Sequence, residues 1–147
     1  MPRRRTPIQE RIWRFVTRGE PGECWPWLGA KNDGGYGMIG AGGKHGGMLR
    51  AHRVMWEMER GPIPAGLECD HLCRNRACVN PRHLALVTHR TNTLRGAAPT
   101  ALNARKTHCP AGHPYDEANT YHAPVTGWRQ CRICRRGYVY AWRARRS

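Results

Sequence analysis

The spacing of cysteine and histidine constrains the fold of this sequence more than any other feature. In a first set, three residues recur at intervals of five: Cys73, Cys78 and His83. A second set consists of two close pairs separated by a longer segment: Cys109-x3-His113 and Cys131-x2-Cys134. Thiolates and imidazoles at short spacings are the ligands that Zn²⁺ prefers in proteins. Each set therefore predicts a zinc site.

The first set needs a fourth ligand, which either Cys24 or Cys69 can provide. We favour Cys24, because Cys69 lies in a predicted strand beside Asp70 and His71, two candidates for other chemistry. The second set already has four ligands, and the helical pattern that follows it is typical of a zinc-ribbon or treble-clef module. Four protein ligands leave no open coordination position, so we predict that both Zn²⁺ ions are structural.

A shortage of aliphatic residues makes such metal sites necessary. Leu, Ile, Val and Phe account for 20 of the 147 residues, which is little for a self-sufficient core. Six tryptophans, five tyrosines and seventeen glycines nevertheless indicate a specific shape. Seven cysteines, an odd number, fit two zinc sites and one spare thiol better than a set of disulfides. A structural zinc contributes on the order of 10 kcal/mol to folding, which compensates for the small core.

The chain is also strongly basic. Its 25 Lys and Arg residues against 10 Asp and Glu residues give a formal net charge of +15, which favours nucleic acid as the partner. The basic start Met1-Pro2-Arg3-Arg4-Arg5 is followed by polar sequence and not by the apolar run of a signal peptide. No apolar segment approaches the length of a membrane span. We therefore expect a cytoplasmic, non-secreted protein in a reducing compartment, where cysteines and histidines bind metals.

The residue pattern predicts an α+β fold in four segments. These are a basic arm with a short helix in residues 1–22, a central domain in 23–96, a linker in 97–108 and a zinc-binding module in 109–147. Glycine-rich sequence in the central domain predicts a β-hairpin with strands at 36–39 and 48–51. Hydrophobic patterns then predict a helix at 53–60, strands at 67–71 and 84–87, and a helix at 88–94.

Short motifs follow one another in order along residues 23–96. They are Cys24-Trp25-Pro26-Trp27, Gly35-Tyr36-Gly37, Ala51-His52-Arg53, Gly61-Pro62-Ile63-Pro64, His71-Leu72-Cys73, Cys78-Val79-Asn80-Pro81-Arg82-His83-Leu84 and Asn92. This ordered series resembles the HNH endonucleases, and specifically the His-Cys box homing endonucleases and their phage relatives. The resemblance implies a small zinc-stabilised ββα-metal core, with the β-hairpin region N-terminal to it and the zinc-binding module C-terminal to it.

The resemblance also implies roles for individual residues. His71 holds the position of the general base that takes a proton from water, and Arg53 that of a cation beside the scissile phosphate. Asp70 and Asn92 hold positions that bind a single catalytic Mg²⁺ through hard oxygen atoms. His83 stands at the middle letter of the HNH motif, but the His-Cys box pattern makes it a zinc ligand.

Taken together, these residues predict a DNA endonuclease that hydrolyses phosphodiester bonds with Mg²⁺, as a phage or mobile-element homing or nicking nuclease. A non-catalytic zinc-stabilised DNA-binding protein, and a restriction or toxin nuclease with the same chemistry, are the alternatives. The expected partner is double-stranded DNA, with a homodimer as an open option, and a phage-encoded protein would act in the host cytoplasm. The residues expected to contact DNA are Arg3, Arg4, Arg5, Arg50, Arg135, Arg136 and Arg143.

Overall fold

The computed structural model describes residues 6–43 and 45–146. Arg3, Arg4 and Arg5, which were predicted to contact DNA, lie outside the described residues. The chain forms two compact units, of which the first ends at Asn92 and the second begins at Thr93. Helices and strands are mixed in both, and each unit holds one of the two Cys/His sets.

The first unit contains two helices, four strands and the first turn of a third helix among its described residues; the last three residues of that third helix belong to the second unit. In chain order they are α1 (Ile8–Arg11), which continues as a 3₁₀ turn (Ile12–Phe15), β1 (Met38–Gly40), β2 (Met48–Arg50), α2 (Ala51–Arg60), β3 (Leu67–His71), a second 3₁₀ turn (Pro81–His83), β4 (Leu84–Thr88) and α3 (His89–Arg95). Strands β1 and β2 pair antiparallel, as do β3 and β4. The register of the second pair joins His71 to Leu84 and Leu67 to Thr88.

Tryptophan provides the largest side chains in the core of this unit. Trp25 and Trp27 are buried against residues of α2, β1 and the first 3₁₀ turn. A Cβ atom at position 37 would lie 2.5 Å from Cγ of Trp27, so only glycine permits the close approach of this indole. Large rings therefore bury the apolar area that the few aliphatic residues do not provide.

Helix α3 begins directly where β4 ends. The Thr88 Oγ1 atom accepts a hydrogen bond from the backbone N–H of Thr91 at 3.2 Å, which satisfies one of the free N–H groups in the first turn of the helix. Thr88 therefore caps the N-terminus of α3. Since β4 pairs with β3, this tight junction fixes α3 close to the strand that carries Asp70 and His71.

The second unit is smaller and contains α4 (Pro99–Arg105), β5 (Thr120–His122), β6 (Arg129–Cys131) and α5 (Arg132–Ala144). Strands β5 and β6 pair antiparallel, and α5 follows β6 without a break. The segment predicted as a linker, residues 97–108, is helical over most of its length, and Ala101 within it is fully buried. Within the described part of the chain, no helix has both the length and the hydropathy needed to cross a bilayer.

Candidate active site and metal centres

The first Cys/His set converges on one point of the first unit. The ligand atoms of Cys24, Cys73, Cys78 and His83 all lie within 4.8 Å of one another. Nδ1 of His83 is 3.5 Å from Sγ of Cys24 and 3.7 Å from Sγ of Cys78. A tetrahedral zinc with bonds of about 2.0–2.3 Å places its ligand atoms about 3.5–3.8 Å apart. The cluster therefore fits zinc, with Cys24 as its fourth member and Cys69 outside it.

The second set converges in the same way around α5. The ligand atoms of Cys109, His113, Cys131 and Cys134 also lie within 4.8 Å of one another. Nδ1 of His113 is 3.3 Å from Sγ of Cys134, and Sγ of Cys109 is 3.7 Å from Sγ of Cys134. Three cysteines and one histidine form a complete tetrahedral donor set, so this cluster also fits a structural zinc.

The surroundings of the sulfur atoms favour a metal over free thiols. Backbone N–H groups point at the sulfurs: Asn80 N is 3.4 Å from Sγ of Cys78, and Cys134 N is 3.4 Å from Sγ of Cys131. Such donors stabilise a thiolate. Burial raises the pKa of Cys78, so this residue would act as a thiolate ligand at neutral pH only with a cation beside it.

His71 lies at the end of β3 and is 5% exposed. Its Nε2 atom is 3.0 Å from the backbone oxygen of Cys78. A carbonyl oxygen can only accept a hydrogen bond, so Nε2 must carry the proton and donate it. The neutral ring then has its lone pair on Nδ1, and burial lowers its pKa below the ordinary value of 6.5. This tautomer and this pKa are those a base needs at neutral pH.

Two aromatic side chains surround the imidazole of His71. The ring of His52, from the first turn of α2, meets it edge-on with centroids 4.6 Å apart, and the ring of Tyr36 lies 5.9 Å away. Burial, followed by the charges of nearby groups, lowers the pKa of His52 to about 3, so it stays neutral. The sequence-based prediction did not include His52, although its place in the Ala51-His52-Arg53 motif marked it.

Asn92, predicted as a metal ligand, is held by a residue that the sequence did not single out. Its Nδ2 donates to Oε2 of Glu68 at 2.7 Å, and Nδ1 of His89 lies 2.9 Å from Oε1 of the same carboxylate. These hydrogen bonds, that of Asn92 first, lower the pKa of Glu68. Glu68 and Asp70 are two residues apart on β3, so they share one face of the strand. Helix α3 therefore lies over the face that carries Asp70.

Asp70 itself is 5% exposed and pairs with Arg74 in the following turn, with Nη1 of Arg74 3.1 Å from Oδ1 of Asp70. Arg74 has a backbone φ of +57°, which is uncommon outside glycine and lets the chain turn sharply after β3. The structure thus brings Asp70 and Asn92 onto the same side of the β3–β4 ribbon. Carboxylate and amide oxygens form a hard donor set that suits Mg²⁺.

Arginine side chains also gather near His71. The guanidinium groups of Arg50 and Arg76 lie 4.9 and 5.4 Å from the ring centre of Tyr36, which neighbours His71. Arg50 was predicted as a DNA contact, whereas Arg76 was not. Arg53 is exposed in the first turn of α2, where its charge acts on Cys69 and on His52. Its predicted place beside a scissile phosphate stays a prediction.

In the second unit, Arg135, Arg136 and Arg143 lie on α5 and are exposed. The guanidinium of Arg135 stacks over the ring of Tyr121 at 5.1 Å. The unit carries ten Lys and Arg residues against two acidic ones, Asp116 and Glu117. The predicted contacts of these arginines with DNA stay predictions.

Comparison with known proteins matches part of this chain to a known family. Residues 49–94, which include α2, β3, β4 and nearly all of α3, match the family model described as HNH endonuclease. Protein 7.7 of Escherichia phage T7 is 37% identical over 71 residues, which cover 48% of this chain and 52% of the relative. Protein 2.8 of the same phage is 37% identical over 86 residues, covering 58% of this chain and 57% of that protein.

The gene 5.3 protein of Enterobacteria phage T3 is 46% identical over 44 residues, which cover 30% of this chain and 44% of the relative. The chain thus spans about half the length of the curated relatives it matches. No solved structure is significantly similar to it. The resemblance to HNH endonucleases is therefore confirmed over residues 49–94, and the similarity to phage proteins agrees with it.

Proposed function

We propose that this protein is an HNH endonuclease that hydrolyses phosphodiester bonds in DNA, with His71 as general base and a single Mg²⁺ as cofactor. The hydrogen bond from Nε2 of His71 to the Cys78 carbonyl carries the proposal. It fixes the ring in the tautomer whose Nδ1 can take a proton. The position of His71 inside residues 49–94, which match the HNH endonuclease model, supports a catalytic role for this ring.

In the proposed reaction, Nδ1 of His71 takes a proton from a water molecule as that water attacks the scissile phosphorus. The bond to the 3′-oxygen breaks, a solvent water gives a proton to the departing oxygen, and the products are a 5′-phosphate and a 3′-hydroxyl. Asp70 and the side-chain oxygen of Asn92 would hold the Mg²⁺, which supplies stabilisation of negative charge on the phosphate and the departing oxygen. Arg50, Arg53 and Arg76 would neutralise the backbone on either side of the cut.

Glu68 has a positioning role in this proposal. A carboxylate only accepts hydrogen bonds, so it attracts the NH₂ group of Asn92 and leaves the amide oxygen for the cation. His89 holds the other carboxylate oxygen and fixes its orientation. The amide of Asn92 therefore needs no rotation before it binds metal, which lowers the cost of assembling the site.

The two zinc ions would build the scaffold and take no part in the chemistry, since each has four protein ligands. One ββα-metal site cuts one strand, so a monomer would nick DNA and a homodimer would cut both strands. The phage origin of the relatives supports a phage homing or nicking nuclease that acts in the host cytoplasm.

Plasmid cleavage should depend on pH through His71. Burial lowers its pKa, so the ring stays neutral down to a pH below 6.5 and is protonated only under more acidic conditions. We expect kcat/KM to be constant at neutral and mildly alkaline pH, with a midpoint below 6.5, and to fall tenfold per pH unit below the pKa of His71. The check is a pH profile with zinc content measured at each pH. A midpoint above 6.5 with zinc retained contradicts the assignment.

Loss of Glu68 should weaken the binding of the catalytic cation without loss of zinc. Removal of an outer-sphere partner typically costs about 10–100-fold in metal affinity, and we expect Glu68→Ala to fall in this range. Asn92→Ala removes a proposed direct ligand and should weaken binding at least as much. Calorimetric titration with Mn²⁺ in the absence of DNA measures the effect. Glu59→Ala, an exposed carboxylate on α2, is the matched control and should bind Mn²⁺ as the wild type does. Equal affinity in all four proteins would remove Glu68 from the proposal.

A further inference from the structure

The second unit has a cleft that the nuclease site does not use. It has a volume of about 710 Å³ and lies between α5 and the start of β5. Arginine and tyrosine side chains dominate its lining, and no acidic residue contributes to it. These side chains are Arg132, Arg135, Arg136, Arg143, Tyr121 and Tyr140. A cleft of this size lined by positive charge is suited to binding a polyanion.

The arginines follow helical periodicity. Arg132, Arg136 and Arg143 stand at positions i, i+4 and i+11 of α5, with Val139 filling position i+7. These positions form one stripe along the helix, which extends about 16 Å at 1.5 Å per residue. The charge is therefore arranged as a row, which matches a chain of successive phosphates better than a single anion.

The zinc site holds both walls of the cleft. Cys131 caps the N-terminus of α5, and its side chain accepts a hydrogen bond from the backbone of Cys134. Asn119, at the base of the opposite wall, donates to Sγ of Cys131 at 3.3 Å and accepts from the backbone N–H of Ile133 at 3.0 Å. The arginine row and the facing tyrosine are thus fixed relative to each other before any ligand binds, which reduces the cost of binding.

Exposed aromatic rings stand beside this row. None of the residues of α5 is buried, and Tyr140 is 68% exposed at the cleft. The facing ring of Tyr121 already stacks against the guanidinium of Arg135. A duplex keeps the faces of its bases inside the stack, so an exposed ring gains little beside its backbone. An unpaired strand presents phosphates and base faces together, and both find partners here.

We propose that this cleft binds an unpaired segment of DNA, with phosphates along the row from Arg132 to Arg143 and a base stacked on Tyr140. The inference rests on the proposed function only in taking DNA as the polymer. It adds a second site, for single strands, to a protein whose first unit is proposed to act on double-stranded DNA.

The test is fluorescence anisotropy with the full chain carrying His71→Ala, so that labelled strands stay intact. The probes are a 12-nucleotide oligo(dT) and a duplex of the same length. We expect Tyr140→Leu to weaken binding of the single strand about fivefold or more and to change duplex binding less than twofold. Tyr140→Phe keeps the ring and should bind as the parent does. Zinc content and circular dichroism establish that each variant is folded.

A second pair of variants distinguishes the effect of the arginine row from the effect of net charge. Arg136→Glu and Arg145→Glu change the net charge equally, but only Arg136 lines the cleft. We expect Arg136→Glu to weaken oligo(dT) binding at least fivefold more than Arg145→Glu does. The proposal is overturned if Tyr140→Leu binds oligo(dT) as the parent does, or if it loses affinity for single strand and duplex equally. It is also overturned if the parent protein binds an oligo(U) probe of the same length more tightly than oligo(dT). Plasmid cleavage by Tyr140→Leu with His71 intact tests the nuclease function separately.

Discussion

His71→Ala is expected to cleave supercoiled plasmid about 100- to 10,000-fold more slowly than the wild type in the presence of Mg²⁺. A positioned general base typically contributes this factor, and here its tautomer is set by the Cys78 carbonyl and its neutral form by burial. The substitution leaves every zinc ligand in place, so both zinc ions should remain bound. The measurement is the rate of conversion of supercoiled to nicked or linear plasmid.

His122→Ala is the matched control for this experiment. His122 is an exposed histidine on β5 in the second unit, and its loss should leave both cleavage and zinc content unchanged. Zinc analysis of His71→Ala shows that the scaffold is intact. A His71→Ala protein that retains two zinc ions and cuts at the wild-type rate would falsify the assignment of the base.

Cys78→Ser is expected to lower the zinc content from two ions per chain to one and to unfold the first unit. Cys78 is fully buried, and its loss removes a thiolate from a site with four protein ligands. A structural zinc contributes on the order of 10 kcal/mol to the free energy of folding, and a core with few aliphatic residues cannot replace this contribution. Cleavage should be lost as well, because the backbone of the same residue orients His71.

Cys69→Ser provides the control for this prediction. Cys69 is half-buried on β3 and lies outside both clusters. The Cys69→Ser protein should therefore retain two zinc ions and most of the cleavage activity. Metal analysis and near-ultraviolet circular dichroism of both variants are the measurements. A zinc content of two for Cys78→Ser, or of one for Cys69→Ser, contradicts the arrangement of the first site.

The spacing of residues along the chain was sufficient to predict most members of the two Cys/His clusters. Cys73, Cys78 and His83 lie on one short loop, so their convergence requires only local geometry. Cys24 is 59 residues from His83, and only the fold brings it to the site. The choice of Cys24 over Cys69 depended on predicting a strand at residues 67–71, which the structure contains.

The contacts around the proposed active site were harder to predict because they join separate elements. Glu68 bonds to Asn92 because β3 pairs with β4 and α3 turns back over the ribbon, and no local pattern encodes this. The edge-to-face contact of His52 with His71 likewise needs α2 placed against the end of β3. The helix within residues 97–108 was missed because its seven residues are too few to show a helical period, and only one of them, Ala101, is buried.

The zinc ligated by Cys24 and His83 would close a loop of 59 residues that contains the β1–β2 hairpin and helix α2. Folding of this unit and metal binding are then one equilibrium, and any change in either appears in the other. A core substitution such as Met55→Ala, far from the cysteines in sequence, should loosen the zinc by about tenfold for every 1.4 kcal/mol of lost packing. Zinc affinity thus becomes a measure of how well the tryptophan core is packed.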